Sequence, residues 1–168
     1  LAGNAVAAGF TAGEGYAIDT VGPVILGPLE YSHQWGGFGL GDGQFFQPYG
    51  LAVDRAGHVY VADTFNHRVQ KFAADGTFLA SIGAAGSADG QFLYPMGVAV
   101  DATGLVHVTD SYNNRVQVFS AAGAWLRSFG TAGTGDGQFD QPPGIALDGD
   151  GHVYVVDRGN NRIQKFTS

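Results

Sequence analysis

The chain has 168 residues, of which 45% are hydrophobic, 14% charged and 28 are Gly, with no Cys. The apolar share is sufficient for a core, which excludes wholesale disorder, and the lack of Cys excludes disulfides, thiolate metal sites and a Cys nucleophile. Eight basic against 15 acidic residues give a net charge of −7, without the basic face that nucleic acid binding needs, and no apolar run approaches the ~18 residues of a membrane span.

The first 38 residues read as a divergent copy of the later repeats. Gly15-Tyr16-Ala17-Ile18-Asp19-Thr20 echoes Val59-Tyr60-Val61-Ala62-Asp63-Thr64, and Trp35-Gly36 falls where Ile82-Gly83 falls later. Leu1 in place of an initiator Met reads as a processed, trimmed or partial chain. It sets the expectation of a secreted or cell-surface protein.

From residue 39 the pattern is regular. Gly41-Asp42-Gly43-Gln44-Phe45 opens a copy that runs to residue 85. Gly50-Leu51-Ala52-Val53 reads as a short strand, and Asp54-Arg55-Ala56-Gly57 as a tight turn with Asp first and Gly fourth. His58 to Asp63 is β-branched and aromatic, a second strand. Arg68-Val69-Gln70-Lys71-Phe72 alternates polar and apolar, as a half-buried strand does. Ala73 to Gly76 turns again, and Thr77 to Ile82 makes a fourth strand. The same order returns over 86–132 and 133–168. Gln44, Gln91 and Gln138 stand 47 apart each time, and the later columns keep that register. The last copy stops after Phe166, before an outermost strand. Four antiparallel strands per repeat of about 40–50 residues is the pattern of a propeller blade.

The run Gly-Asp-Gly-Gln-Phe, then Val59-Tyr60-Val61-Ala62-Asp63-Thr64, then Asn66-His67-Arg68 and Phe72, resembles the NHL repeat. The later copies carry it as Asn113-Asn114-Arg115 and Asn160-Asn161-Arg162. The resemblance is strong over 39–168 and weak over 3–38. It implies an all-β propeller of four-stranded antiparallel blades. About three and a half blades lie in this chain, which makes an incomplete ring where such propellers commonly have six. Two outcomes are open for the free ends: further blades of a longer chain, or self-association of copies.

Columns shared by every copy are what every blade needs. Asp63, Asn66 and Arg68, with Asp110, Asn113, Arg115 and Asp157, Asn160, Arg162, are therefore read as structural, the Asp and Asn serving loop N–H groups and the Arg pairing with a carboxylate. Asp148-Gly149-Asp150-Gly151 looks like a calcium loop, but the sister copies turn the same corner with one carboxylate. It is read as a plain hairpin. His33, His58, His67, His107 and His152 fall in columns that do not converge as catalytic zinc would require. No metal, cofactor or catalytic residue is assigned.

Positions that differ between copies are where function is expected. Tyr49 and Met96 share one such column, Phe65 and Tyr112 another, and Arg158 stands beside the second in the last copy. These five are the candidate ligand- or partner-binding residues, an aromatic and Met-containing rim of the kind enriched at protein interfaces. The expected function is a non-enzymatic interaction or self-assembly module for protein, peptide or glycan. The alternative is part of a propeller lyase or hydrolase with a metal-assisted site at the central channel.

Overall fold

The computed structural model describes residues 28–167. Residues 33–168 form one unit, which carries every strand described, and residues 28–32 of the other unit (1–32) are exposed and in no strand. Most of the divergent copy expected over 1–38 lies outside the described residues.

The 47-residue register becomes a repeated sheet. Strands β1 (Pro48–Val53), β2 (Val59–Asp63), β3 (Arg68–Phe72) and β4 (Phe78–Ile82) form an antiparallel meander in chain order. So do β5 (Pro95–Val100), β6 (Val106–Asp110), β7 (Arg115–Phe119) and β8 (Trp125–Phe129). Between the second and third sheets, β9 (Thr131–Ala132) pairs in parallel with β10 (Gln138–Phe139). The third sheet is β11 (Gly144–Leu147), β12 (Val153–Asp157) and β13 (Arg162–Phe166). These sheets are propeller blades, numbered 1, 2 and 3 in chain order. Among the described residues no helix is long and apolar enough to cross a membrane.

The turns follow from side chains. Asp54 Oδ1 accepts the N–H groups of Ala56 and His58, each at 2.9 Å, while Gly57 N–H donates to the Asp54 carbonyl. Gly57 takes a φ of 85°, which a side chain would strain. Asp101 and Asp148 build the same corner. Between β2 and β3 the chain makes a 3-10 turn, Thr64–Asn66, closed by His67 at a left-handed φ of 54°.

The core lies between blades. Phe92 of blade 2 is fully buried in one cluster with Tyr60, Val69 and Ile82 of blade 1 and Val98 of blade 2. Phe139 repeats this with Val116, Val153 and Val155. Full burial of each such ring contributes about 1.5–3 kcal/mol. The inner strands β1, β5 and β11 lie side by side, so close that a Cβ at Gly50 would collide with the Met96 carbonyl. Two polar latches cross each junction. Thr64 Oγ1 donates to Pro95 O at 2.8 Å and Ser111 Oγ to Pro142 O at 2.7 Å. Tyr94 N–H donates to His67 Nδ1, and Gln141 N–H to Asn114 Oδ1.

Among the described residues, nothing gives the outward faces of blades 1 and 3 this cover. Leu51 is 66% exposed where its blade 2 counterpart Val98 is 5% exposed, and Ile163 is 63% exposed where Val69 and Val116 are fully buried.

Candidate interaction face

The shared polar columns converge at one end of each blade. Asp63 is fully buried at the end of β2. Its Oδ1 accepts Phe46 N–H at 2.8 Å, and its Oδ2 accepts Arg68 Nε at 2.8 Å, Asn66 Nδ2 at 2.8 Å and Gln70 Nε2 at 3.0 Å. Arg68 also donates to the carbonyls of Gly41 and Gln44, and Asn66 to that of Gly39. Gln70 accepts Gly43 N–H and donates to Gln44 O. One carboxylate thereby ties three segments together, and Asp110 and Asp157 do the same. For Asp157, burial opposes ionisation, but the Asp140 N–H, Asn160, Arg162 and Gln164 outweigh it and hold the carboxyl below its ordinary range. Such acceptors are spent on loop closure. The Gln70 column belongs to this network without having stood out in the sequence, although Gln recurs there as Gln117 and Gln164.

Above this network the copies diverge, and the divergent side chains meet. Phe38, Phe46, Phe65, Tyr94 and Tyr112 form a ladder of rings with successive centroid distances of 5.3, 5.2, 5.2 and 4.8 Å. His67 packs edge-on against Tyr94 at 4.5 Å. Backbone bonds set the spacing: Phe65 N–H donates to Phe46 O, and Tyr112 N–H to Leu93 O. Phe38 is 80% exposed, Phe65 41% and Tyr112 47%. The ladder stops at blade 3, where Asp140, Gln141 and Gly159 take the ring positions. There Arg158 Nη2 donates to Gln141 Oε1 at 2.5 Å.

Of the five residues named from sequence, Phe65 and Tyr112 are rungs of the ladder, joined through Tyr94. Arg158 is exposed beyond its end. Tyr49 stands apart, on the outward face of blade 1, in an apolar groove of ≈ 530 Å³ shared with Trp35, Leu51 and Val53. Met96 is half-buried at the blade 1–blade 2 junction. Phe38, Phe46 and Tyr94 were not among the five. The signal for Tyr94 lay in its column, where the other copies carry Gln47 and Gln141.

The His side chains of the turns are bound locally. His58 Nδ1 pairs with Asp54 at 2.9 Å and His152 Nδ1 with Asp148 at 2.8 Å. Ligand atoms of Asp148, Asp150 and His152 lie within 4.8 Å of one another. Asp148 already accepts the N–H groups of Asp150 and His152, the His152 ring and the Tyr154 hydroxyl. Burial opposes its ionisation, yet these bonds hold its carboxyl far below the ordinary range. Ala56 and Thr103 stand in the place of Asp150 in the other copies.

The NHL repeat profile matches residues 45–72, 92–119 and 139–166. B-box type zinc finger protein ncl-1 of Caenorhabditis elegans is 48% identical over 48 residues, 29% of this chain and 6% of that protein. Protein brain tumor of Drosophila melanogaster is 43% identical over 53 residues, 32% of this chain and 5% of that protein. The matched stretch thus spans only about a twentieth of these relatives. Among solved structures, an auxiliary nutrient binding protein from Bacteroides thetaiotaomicron superimposes with a TM-score of 0.60 at 17% identity, over 76% of this chain and 38% of that one. Virginiamycin B lyase from Staphylococcus aureus gives 0.56 at 20% identity, over 72% and 38%. At such identities the likeness is one of fold.

Proposed function

The chain belongs to the NHL repeat family, and from that premise we propose that it is an interaction module that binds a protein or peptide on the loop face bearing the aromatic ladder. One observation carries this reading. The columns common to all copies are consumed in closing the blades, whereas aromatic side chains from columns that differ adjoin one another on the loop face, with Phe38, Phe65 and Tyr112 exposed and Phe46 and Tyr94 half-buried. Contiguous exposed apolar surface marks interaction sites, and aromatic residues are enriched in them. The reading favours binding over catalysis because the acidic and His groups are spread over both ends of the blades, and Asp54, Asp63, Asp101, Asp110, Asp148 and Asp157 are already engaged in corners and loop closure.

Peptide selection from a random library tests this. Peptides selected on the wild-type chain are expected to lose at least roughly fivefold in affinity against Phe65→Ala/Tyr112→Ala, and to bind Asp150→Ala, on the opposite end of the blades, unchanged. Selected peptides that bind the ladder variant as well as wild type would overturn the proposal.

A further inference from the structure

The rungs are tilted 42–80° to their neighbours rather than stacked flat. Rings at these spacings touch edge to face, so the row offers a continuous aromatic surface, along which an extended polyproline II helix, rising ~3.1 Å per residue with three residues per turn, can lie. That helix has no internal hydrogen bonds, so its carbonyls stay free for hydroxyl donors such as those of Tyr94 and Tyr112. Aromatic-lined grooves take it at low entropic cost because it is preformed.

Charge gives the ladder a polarity. Arg68, Arg115 and Arg162 are each paired with a buried Asp. Arg158, past the last rung, has no carboxylate within 4.0 Å among the described residues and uses its Nη2 on Gln141. A guanidinium with donors to spare takes a carboxylate in bidentate fashion. The exposed carboxylates of Asp42, Asp89 and Asp136 occupy the same loop face, 3.6–4.0 Å from Arg68, Arg115 and Arg162. They oppose a phosphate backbone, so of the two polymers that lie along aromatic rows, peptide is favoured over single-stranded nucleic acid.

We infer that the loop face takes a proline-rich peptide lying from blade 1 toward blade 3, with an acidic group that reaches Arg158. This rests on the loop face being an interaction surface. The test uses the whole 168-residue chain and fluorescence anisotropy. The probes are a labelled, C-terminally amidated oligoproline ending in Asp, its amidated twin ending in Asn, and an oligouridine of matching length. The Asp-ended peptide is expected to bind saturably with Kd below about 1 mM and roughly tenfold more weakly to Phe65→Ala/Tyr112→Ala. Arg158→Gln is expected to erase the preference for Asp over Asn while leaving the Asn twin's affinity unchanged. Both variants are first checked by thermal melting. The inference is overturned by the absence of saturable oligoproline binding, by binding indifferent to the ladder, by a preference that survives Arg158→Gln, or by tighter binding of oligouridine. Library peptides without proline that still need the ladder would preserve the interaction face while sinking this partner class. Failure of both probes would sink both.

Discussion

His107 occupies the place that Tyr60 and Tyr154 hold in the other blades, and it fits less well. Tyr154 donates to Asp148 at 2.9 Å, and Tyr60 reaches Asp54 at 3.4 Å. The shorter imidazole leaves Nε2 3.5 Å from Asp101, and neither ring nitrogen has a hydrogen-bond partner although the residue is only 3% exposed. Burial pushes its pKa down, and the Asp101 carboxylate only partly offsets this. The unfolded chain takes up that proton near the ordinary His value of about 6.5, and the folded chain does so only at lower pH. Stability from this group is therefore complete above that value and falls as pH drops below it. His107→Tyr is expected to stabilise the chain by about 1–3 kcal/mol, the cost of an unsatisfied buried polar group. It is also expected to flatten the loss of stability on going from neutral to mildly acidic pH. Urea denaturation at both pH values checks this, and equal pH dependence in the two proteins would contradict it.

At the scale of the element, the strands were legible because each blade writes them the same way. β-branched pairs in β2, alternation in β3 and an Asp-to-Gly corner recur without a slip. That each Arg pairs with a carboxylate was expected without fixing which one; Asp63 and Arg68 face each other across β2 and β3, as the Asp110–Arg115 and Asp157–Arg162 pairs do. What periodicity hides is how one blade meets the next. The hydroxyls of Thr64 and Ser111 look like parts of a variable loop, yet they are buried latches. Blade 3 has Arg158 in that column, and its side chain is exposed. The ladder was half legible. Phe65 and Tyr112 stood out as exposed aromatics in one column, but their neighbours come from other loops and other copies, and only the junction brings Tyr94 between them. Tyr49 misled for a geometric reason. β1 is irregular between Pro48 and Leu51, and Tyr49 there lines the outward groove with Leu51 and Val53 rather than the loop face.

For the 168-residue chain as a whole, the apolar faces that the described residues leave open lie on the outer sides of blades 1 and 3. Leu51, Val53 and Ile163 are each more than half exposed, whereas the same columns are covered where two blades meet. The blade 1 face is the equivalent of the one blade 2 presents to blade 1, and the blade 3 face of the one blade 2 presents to blade 3, so the two are complementary by repetition. The 168-residue chain is expected to self-associate with rising concentration in light scattering, and Leu51→Asp with Ile163→Asp to return it toward monomer. A wild-type chain that stays monomeric at high concentration would count against this.

The central claim is that the shared columns build blades and the divergent ones bind. Hydrogen–deuterium exchange with and without a peptide selected on the wild-type chain tests it most directly. Protection is expected over loops 36–47, 64–67, 91–95 and 111–114, with the corners at 54–57, 101–104 and 148–151 unchanged. Protection centred on those corners, or on the outward faces of blades 1 and 3, would contradict the account.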